Sequence, residues 1–171
     1  MWETVEGMTD QFFFSGSFDS KIDDKNRFVM PQSFRYGLVE NGSLEFAIGL
    51  GIGGCLSIYK KSDVLKIVEK FRKNQHLAKY RRFFTLFFST LHHSSCDKLG
   101  RVLLPSRLKE TINIKKEIII AGVLDKIEIW PKENYLNEIN ELTSKENKGQ
   151  LEQLIEDAFS LLHDDEREVN A

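Results

Sequence analysis

Cysteine is scarce: the 171 residues contain two, Cys55 and Cys96, far apart and in no CxxC pair. That excludes a disulfide framework. The two thiols read as small apolar side chains in or near strands. Proline is equally rare, with three residues, and glycine reaches only 11, which excludes collagen-like and Pro/Gly-rich disordered chains. No apolar run approaches the ~18 residues of a membrane span. The first residues, Met1 to Glu6, are acidic and lack the basic-then-apolar order of a signal peptide. The chain is therefore expected in a reducing cytoplasm, with no membrane partner.

What is present is the composition of a globular protein: 41% hydrophobic and 29% charged residues. Net charge is −2, but it is unevenly placed. Residues 133–171 hold eleven acids and three bases, while residues 1–132 hold 15 acids and 21 bases. A basic body and an acidic tail follow.

The chain repeats itself. Phe13-Phe14-Ser15 recurs as Phe87-Phe88-Ser89, and the pattern Asp-x-x-x-Arg-apolar-apolar-apolar-Pro occurs from Asp23 to Pro31 and from Asp97 to Pro105. After a small change in loop length, Leu56 to Lys61 matches Ile127 to Lys132. Three ordered matches at near-constant spacing indicate tandem duplication of a unit of roughly 75 residues.

Each copy predicts the same elements. An alternating stretch, Phe14 to Ile22 or Phe88 to Cys96, leads into the Asp-x-x-x-Arg turn. Asn26 or Gly100 stands before the Arg, and both residue types tolerate positive φ. A short apolar strand follows, so the spacing predicts a hairpin around each turn. Pro31 and Pro105 open short helices at the first helical position, and Gly37 suits the end of the first. Strand pairs follow over 44–48 with 55–59 and over 117–121 with 126–130. A helix with Ser62 as N-cap closes copy one. A helix carrying Tyr135 to Leu142 closes copy two, a last helix carries Leu151 to Leu162, and residues 163–171 are expected to fray. The resulting segments are an extension (1–11), a first repeat (12–80), a second repeat (81–142) and a C-terminal helix with acidic tail (143–171).

Enzyme chemistry finds little support. The glycines from Gly49 to Gly54 lead into a strand rather than a helix, so they form a hairpin loop rather than a phosphate cradle. His92, His93 and Cys96 lack the ligands to complete a metal site. No metal, cofactor or small-molecule substrate is expected. The basic residues are more informative. Arg27 and Arg101 occupy equivalent places, with Lys25 and Lys98 in the same turns and Arg35 and Lys109 nearby. Guanidinium groups there suit phosphate oxygens or guanine edges. Asp23 and Asp97 have two roles open to them: accepting backbone N–H groups in the turn, and orienting the Arg.

These motifs, with the strands Gly54 to Tyr59 and Asp125 to Trp130 and the stretch Arg81 to Ser89, resemble the MraZ family of the AbrB-like swapped-hairpin superfamily. The resemblance implies an α+β fold: two swapped-hairpin β-barrel units in tandem, with short and C-terminal helices. It implies a regulator that binds short direct repeats of double-stranded DNA at the promoter of the cell-division and cell-wall gene cluster, and that assembles into a ring-shaped homo-oligomer on the nucleoid. DNA contact would fall on Arg27, Arg101, Lys25, Lys98, Arg35 and Lys109, with Asp23, Asp97, Asn26 and Gly100 shaping the turns. The competing reading is an oligomeric protein-binding scaffold or antitoxin-like module with the acidic tail as contact segment.

Overall fold

The computed structural model describes residues 12–168, with side chains through His163. The 1–11 extension lies outside the described residues. The chain runs β1 (Ser17–Lys21), β2 (Arg27–Val29), α1 (Gln32–Leu38), β3 (Val39–Glu40), β4 (Ser43–Leu44), β5 (Phe46–Leu50), β6 (Leu56–Lys60), α2 (Lys61–Lys73), one 3-10 turn at Ala78–Tyr80 and α3 (Arg81–Thr90). It continues with β7 (His92–Ser94), β8 (Arg101–Leu103), α4 (Ser106–Thr111), β9 (Glu117–Val123), β10 (Lys126–Pro131), α5 (Lys132–Thr143) and α6 (Lys148–Glu168).

The strands of the two copies interleave. One antiparallel sheet has the order β1-β9-β10-β6-β5-β7, and β2 pairs with β8 as a separate two-stranded ribbon. The first strand of each copy thus pairs with the third main strand of the other. At the centre of the sheet Ser57 faces Glu128, and at the centre of the ribbon Phe28 faces Val102. Both are pairs of repeat-equivalent residues, so a pseudo-two-fold axis passes through them. A single core spans both copies, with Phe28, Met30, Ile58, Val102, Leu104 and Ile129 all essentially solvent-free. This is the swapped α+β arrangement that the resemblance implies.

It corrects the local reading of a hairpin around each turn. The turn closes as expected, with the Asp23 N–H donating to the Arg27 carbonyl at 2.8 Å. Beyond it the strands part, β1 to β9 and β2 to β8. A second correction concerns Phe88 to Cys96. Helix α3 continues through Thr90 and β7 is only three residues long. The helix forms because its phenylalanines have a partner: Phe71 of α2 lies 5.3–6.0 Å, centroid to centroid, from Phe83, Phe84, Phe87 and Phe88. Aromatic pairs at such spacing stabilise edge-on packing.

Smaller differences have local causes. Pro31 and Pro105 occupy N-cap positions, one residue before the helix. Gly37 lies inside α1, and its role is close approach: a Cβ there would meet the Phe12 ring at 2.1 Å. Ser62 is the second residue of α2, and the Glu40 carboxylate accepts its N–H at 3.1 Å as well as its hydroxyl. Glu40 belongs to the β3–β4 hairpin, turned by Asn41 and Gly42 with φ of 51° and 76°. Helix α6 extends to Glu168, so the expected fraying does not begin at residue 163; residues 169–171 lie outside the described residues. Two compact units divide at Lys132, the first holding the sheet and ribbon and the second the helices that follow. Among the described residues no helix is long and apolar enough to cross a membrane.

One contact fixes the entry of the chain into the sheet. Phe14 and Leu124 exchange backbone hydrogen bonds of 2.7 and 3.0 Å, and Gly122 donates to Gly16. A Cβ on Gly122 would stand 2.4 Å from the Ser15 nitrogen and 2.7 Å from the Phe14 carbonyl carbon. Backbone cannot swing aside as a side chain can. Gly122→Ala is therefore expected to cost about 1–3 kcal/mol of stability, read from urea midpoints.

Candidate functional site

The β2–β8 ribbon carries both signature arginines. Its register is Arg27 opposite Leu103, Phe28 opposite Val102 and Val29 opposite Arg101. Alternate residues of a strand point to opposite faces. Phe28 and Val102 are buried inward, while Val29 and Leu103 are exposed outward with Arg27 and Arg101 part-exposed beside them. The outer face is thus a four-residue patch with arginines on one diagonal, about 7–8 Å apart at the backbone by ordinary sheet geometry.

Each arginine is held in the same way. Asp23 Oδ1 accepts the backbone N–H groups of Lys25 at 2.9 Å and Arg27 at 2.8 Å, and its Oδ2 accepts Arg27 Nε at 2.9 Å. Arg27 Nη2 stands 2.9 Å from the same oxygen. In copy two Asp97 Oδ1 accepts from Leu99 and Arg101 at 2.9 Å each, and Oδ2 accepts Arg101 Nε at 2.6 Å. One carboxylate therefore does both jobs: one oxygen builds the turn and the other aims the guanidinium. A guanidinium has five N–H donors in a fixed fork, so donors remain for a ligand.

Asn26 and Gly100 follow at φ of 57° and 77°. Their carbonyls accept across the ribbon, Asn26 from Leu104 at 2.8 Å and Gly100 from Met30 at 2.9 Å. The turns thereby lie at opposite ends of one ribbon and are locked to it by the other copy. Lys25 and Lys98 lie exposed within the turns.

Arg35 and Lys109 are placed differently from the tip residues. Both are only part-exposed, and each reaches the turn of the opposite copy. Lys109 Nζ donates to Asn26 Oδ1 at 3.1 Å. The Arg35 guanidinium lies flat against Gly100, where a Cβ would meet Arg35 Cζ at 2.7 Å. The small turn residue fits the large cation, and the larger turn residue fits the slimmer amine. The positions 26, 35, 100 and 109 thus form two matched pairs, a relation that the repeat offset alone does not reveal.

The carboxylates of Asp23 and Asp97 are held below the ordinary aspartate range, first by the backbone N–H of Arg27 or Arg101 and then by the guanidinium itself. A carboxyl depressed in the folded state favours folding above the ordinary value near pH 3.9, and that contribution disappears as pH falls through the depressed native value. Acidification below about pH 4 is expected to destabilise the wild type more steeply than the Asp23→Asn/Asp97→Asn variant. Thermal midpoints at pH 2.5–6 check this.

The remaining candidates lie apart from the ribbon. Burial pushes the Cys55 thiol up to about 12 and the Cys96 thiol up to about 11, so neither is a nucleophile near neutral pH. His92 and His93 lie on β7. Among the described residues no group of three or more His, Cys, Asp or Glu side chains is placed to hold a metal ion. The Gly51–Gly54 segment is the β5–β6 connection, closed by the Gly51 N–H on the Cys55 carbonyl at 2.9 Å.

Comparison with known proteins agrees with the duplication. The family model described as "MraZ protein, putative antitoxin-like" matches residues 13–86 and again 87–158. A Transcriptional regulator MraZ of Clostridium acetobutylicum is 40% identical over 131 residues, 75% of this chain and 87% of the relative. One of Desulforamulus reducens is 32% identical over 150 residues, 87% of this chain and 99% of the relative. One of Finegoldia magna is 37% identical over 123 residues, 71% of this chain and 83% of the relative. With both repeats matched and relatives aligned along nearly their whole length, the chain belongs to the MraZ family, a family of transcriptional regulators and not of enzymes.

Proposed function

We propose that the chain is a sequence-specific DNA-binding regulator that reads duplex DNA with the outer face of the β2–β8 ribbon. The observation that carries this reading is the matched pair of arginines, each aimed by its own carboxylate from one exposed two-stranded ribbon. A two-stranded ribbon fits the B-DNA major groove, and arginine forks onto guanine O6 and N7. Lys25 and Lys98, exposed at the two ends, suit phosphates and set register. Arg35 and Lys109 act from behind, holding the turns in shape.

Two arginines per chain supply modest affinity in a protein of net charge −2. Several linked copies multiply it through effective concentration, and direct repeats in the DNA match equally spaced copies. A ring-shaped homo-oligomer on promoter repeats upstream of the cell-division and cell-wall genes, in the cytoplasm at the nucleoid, is the arrangement that this reading favours.

Fluorescence anisotropy on the promoter DNA upstream of the chain's own gene tests it. Binding should be tighter than to scrambled DNA, with log affinity falling linearly in log salt. Equal affinity for scrambled DNA, or no binding at low salt, removes the reading and turns attention to a protein partner of the antitoxin type.

A further inference from the structure

The outer face of the β2–β8 ribbon carries two side chains for which the arginines leave no task. Val29 is 53% exposed and Leu103 49%, whereas Phe28 and Val102 on the inner face are buried. The two stand at equivalent places in the repeats, at the offset of the Asp-x-x-x-Arg motif. The turns beside them differ: Asp24 corresponds to Lys98, Lys25 to Leu99 and Asn26 to Gly100. Both copies nonetheless place a branched apolar residue in water at this point. Strand propensity favours valine there but gives little reason for leucine.

Hydrogen bonding fixes where these residues lie relative to the arginines. Along the ribbon the Leu104 N–H donates to the Asn26 carbonyl and the Met30 N–H to the Gly100 carbonyl. Bonded and non-bonded positions alternate in an antiparallel pair. Arg27 opposite Leu103 and Val29 opposite Arg101 are therefore the non-bonded pairs, whose side chains stand closest, with Cα atoms about 4.5 Å apart. Each arginine thus has one apolar neighbour directly across the ribbon. Successive bases of a DNA strand rise by about 3.4 Å, a spacing of the same order. A side chain beside an arginine that holds guanine comes to the adjoining base pair. Among the major-groove groups that distinguish base pairs, the apolar one is the thymine C5-methyl. Packing on it removes apolar surface of both partners from water, which contact with a phosphate does not.

We propose that Val29 and Leu103 are specificity-determining residues that pack on thymine C5-methyl groups, each next to the guanine held by the arginine opposite. Arg27 with Leu103, and Arg101 with Val29, then form two readers of neighbouring base pairs about the pseudo-two-fold axis. The proposal rests on the ribbon reading above and adds the bases that flank the guanines.

The test is fluorescence anisotropy of the full chain on the promoter duplex upstream of its own gene, with two sets of modified bases. Deoxyuridine in place of one thymine at a time removes only the methyl group. Deazaguanine in place of one guanine at a time removes only the N7 acceptor. Wild type should lose affinity on deazaguanine and, at a thymine next to a responsive guanine, about fourfold on deoxyuridine, the worth of one buried carbon. Leu103→Ser and Val29→Ser should each become indifferent to the methyl at one such thymine, a coupling that a purely structural role would not produce. Both should keep the deazaguanine response, which shows that they are folded with the arginines in place. A wild type that responds to deazaguanine but to no deoxyuridine overturns this proposal and leaves the arginine reading standing. Serine variants that still respond to every methyl overturn it too, as do variants that lose the deazaguanine response along with the methyl response. A wild type that binds promoter and scrambled DNA equally removes the ribbon reading and this proposal together.

Discussion

Replacing both ribbon arginines, Arg27→Ala/Arg101→Ala, is expected to abolish selective binding to promoter DNA while leaving the assembly size unchanged. A bidentate arginine at a base edge contributes about 1–3 kcal/mol of discrimination. Two such losses per chain total about 2–6 kcal/mol, between roughly thirtyfold and twenty-thousandfold in Kd, before multivalency enlarges the effect. The salt dependence separates base from phosphate contact. If the arginines read bases, specificity collapses and the slope changes little. Each one that instead grips a phosphate lowers the slope by about 1. Unchanged affinity for promoter over scrambled DNA would place recognition elsewhere. The substitutions should fold, since both side chains are part-exposed and the inner face of the ribbon is intact.

Phe28→Ala is expected to produce the largest loss of stability. Phe28 is 1% exposed and packs in the core under the middle of the ribbon, opposite Val102. Truncating a buried phenylalanine costs about 3–5 kcal/mol, from lost transfer energy and the cavity left behind. Against a typical total of about 5–15 kcal/mol, that leaves a marginal protein. Phe28→Leu retains most of the volume and should cost about 1–2 kcal/mol. Denaturant midpoints at constant m-value distinguish the two. Because β2 is only three residues long, loss of its central anchor also frees Arg27 from its register with Leu103. DNA affinity should fall even at temperatures where the sheet remains folded.

The repeat made much of this molecule legible. Matching Asp23 to Pro31 with Asp97 to Pro105 located both turns, both short helices and both signature arginines. Asn26 and Gly100 announced positive φ, because few other residues tolerate it. Pairing across the copies was not legible in the residues alone: nothing local in Arg27–Val29 says that its partner lies in 101–103. The hairpin expectation failed for that reason, and only the family resemblance supplied the swap. Helix α3 was missed because Phe-rich sequence favours strand in isolation, and the Phe71 contacts that make it a helix are tertiary. The β3–β4 hairpin did have a signal, Asn41-Gly42 between short extended stretches, which is a strong two-residue turn. Arg35 and Lys109 looked like surface cations because each one's neighbour, Gly100 or Asn26, lies in the other copy.

Interleaving also dictates the order in which this chain reaches its native state. Ser17 of β1 pairs with Ala121 of β9, and Arg27 of β2 with Leu103 of β8. During synthesis the first half emerges with β1 and β2 unpaired, and they stay so until most of the second half has left the ribosome. Closing such long loops precedes any reward from the contacts they make, so folding is slow for a chain of this size and its early edges are exposed to pairing with other chains. Two nascent first halves can satisfy each other as readily as each can wait for its own second half. Expression of copy one alone is therefore expected to yield swapped dimers or aggregates rather than a folded monomer.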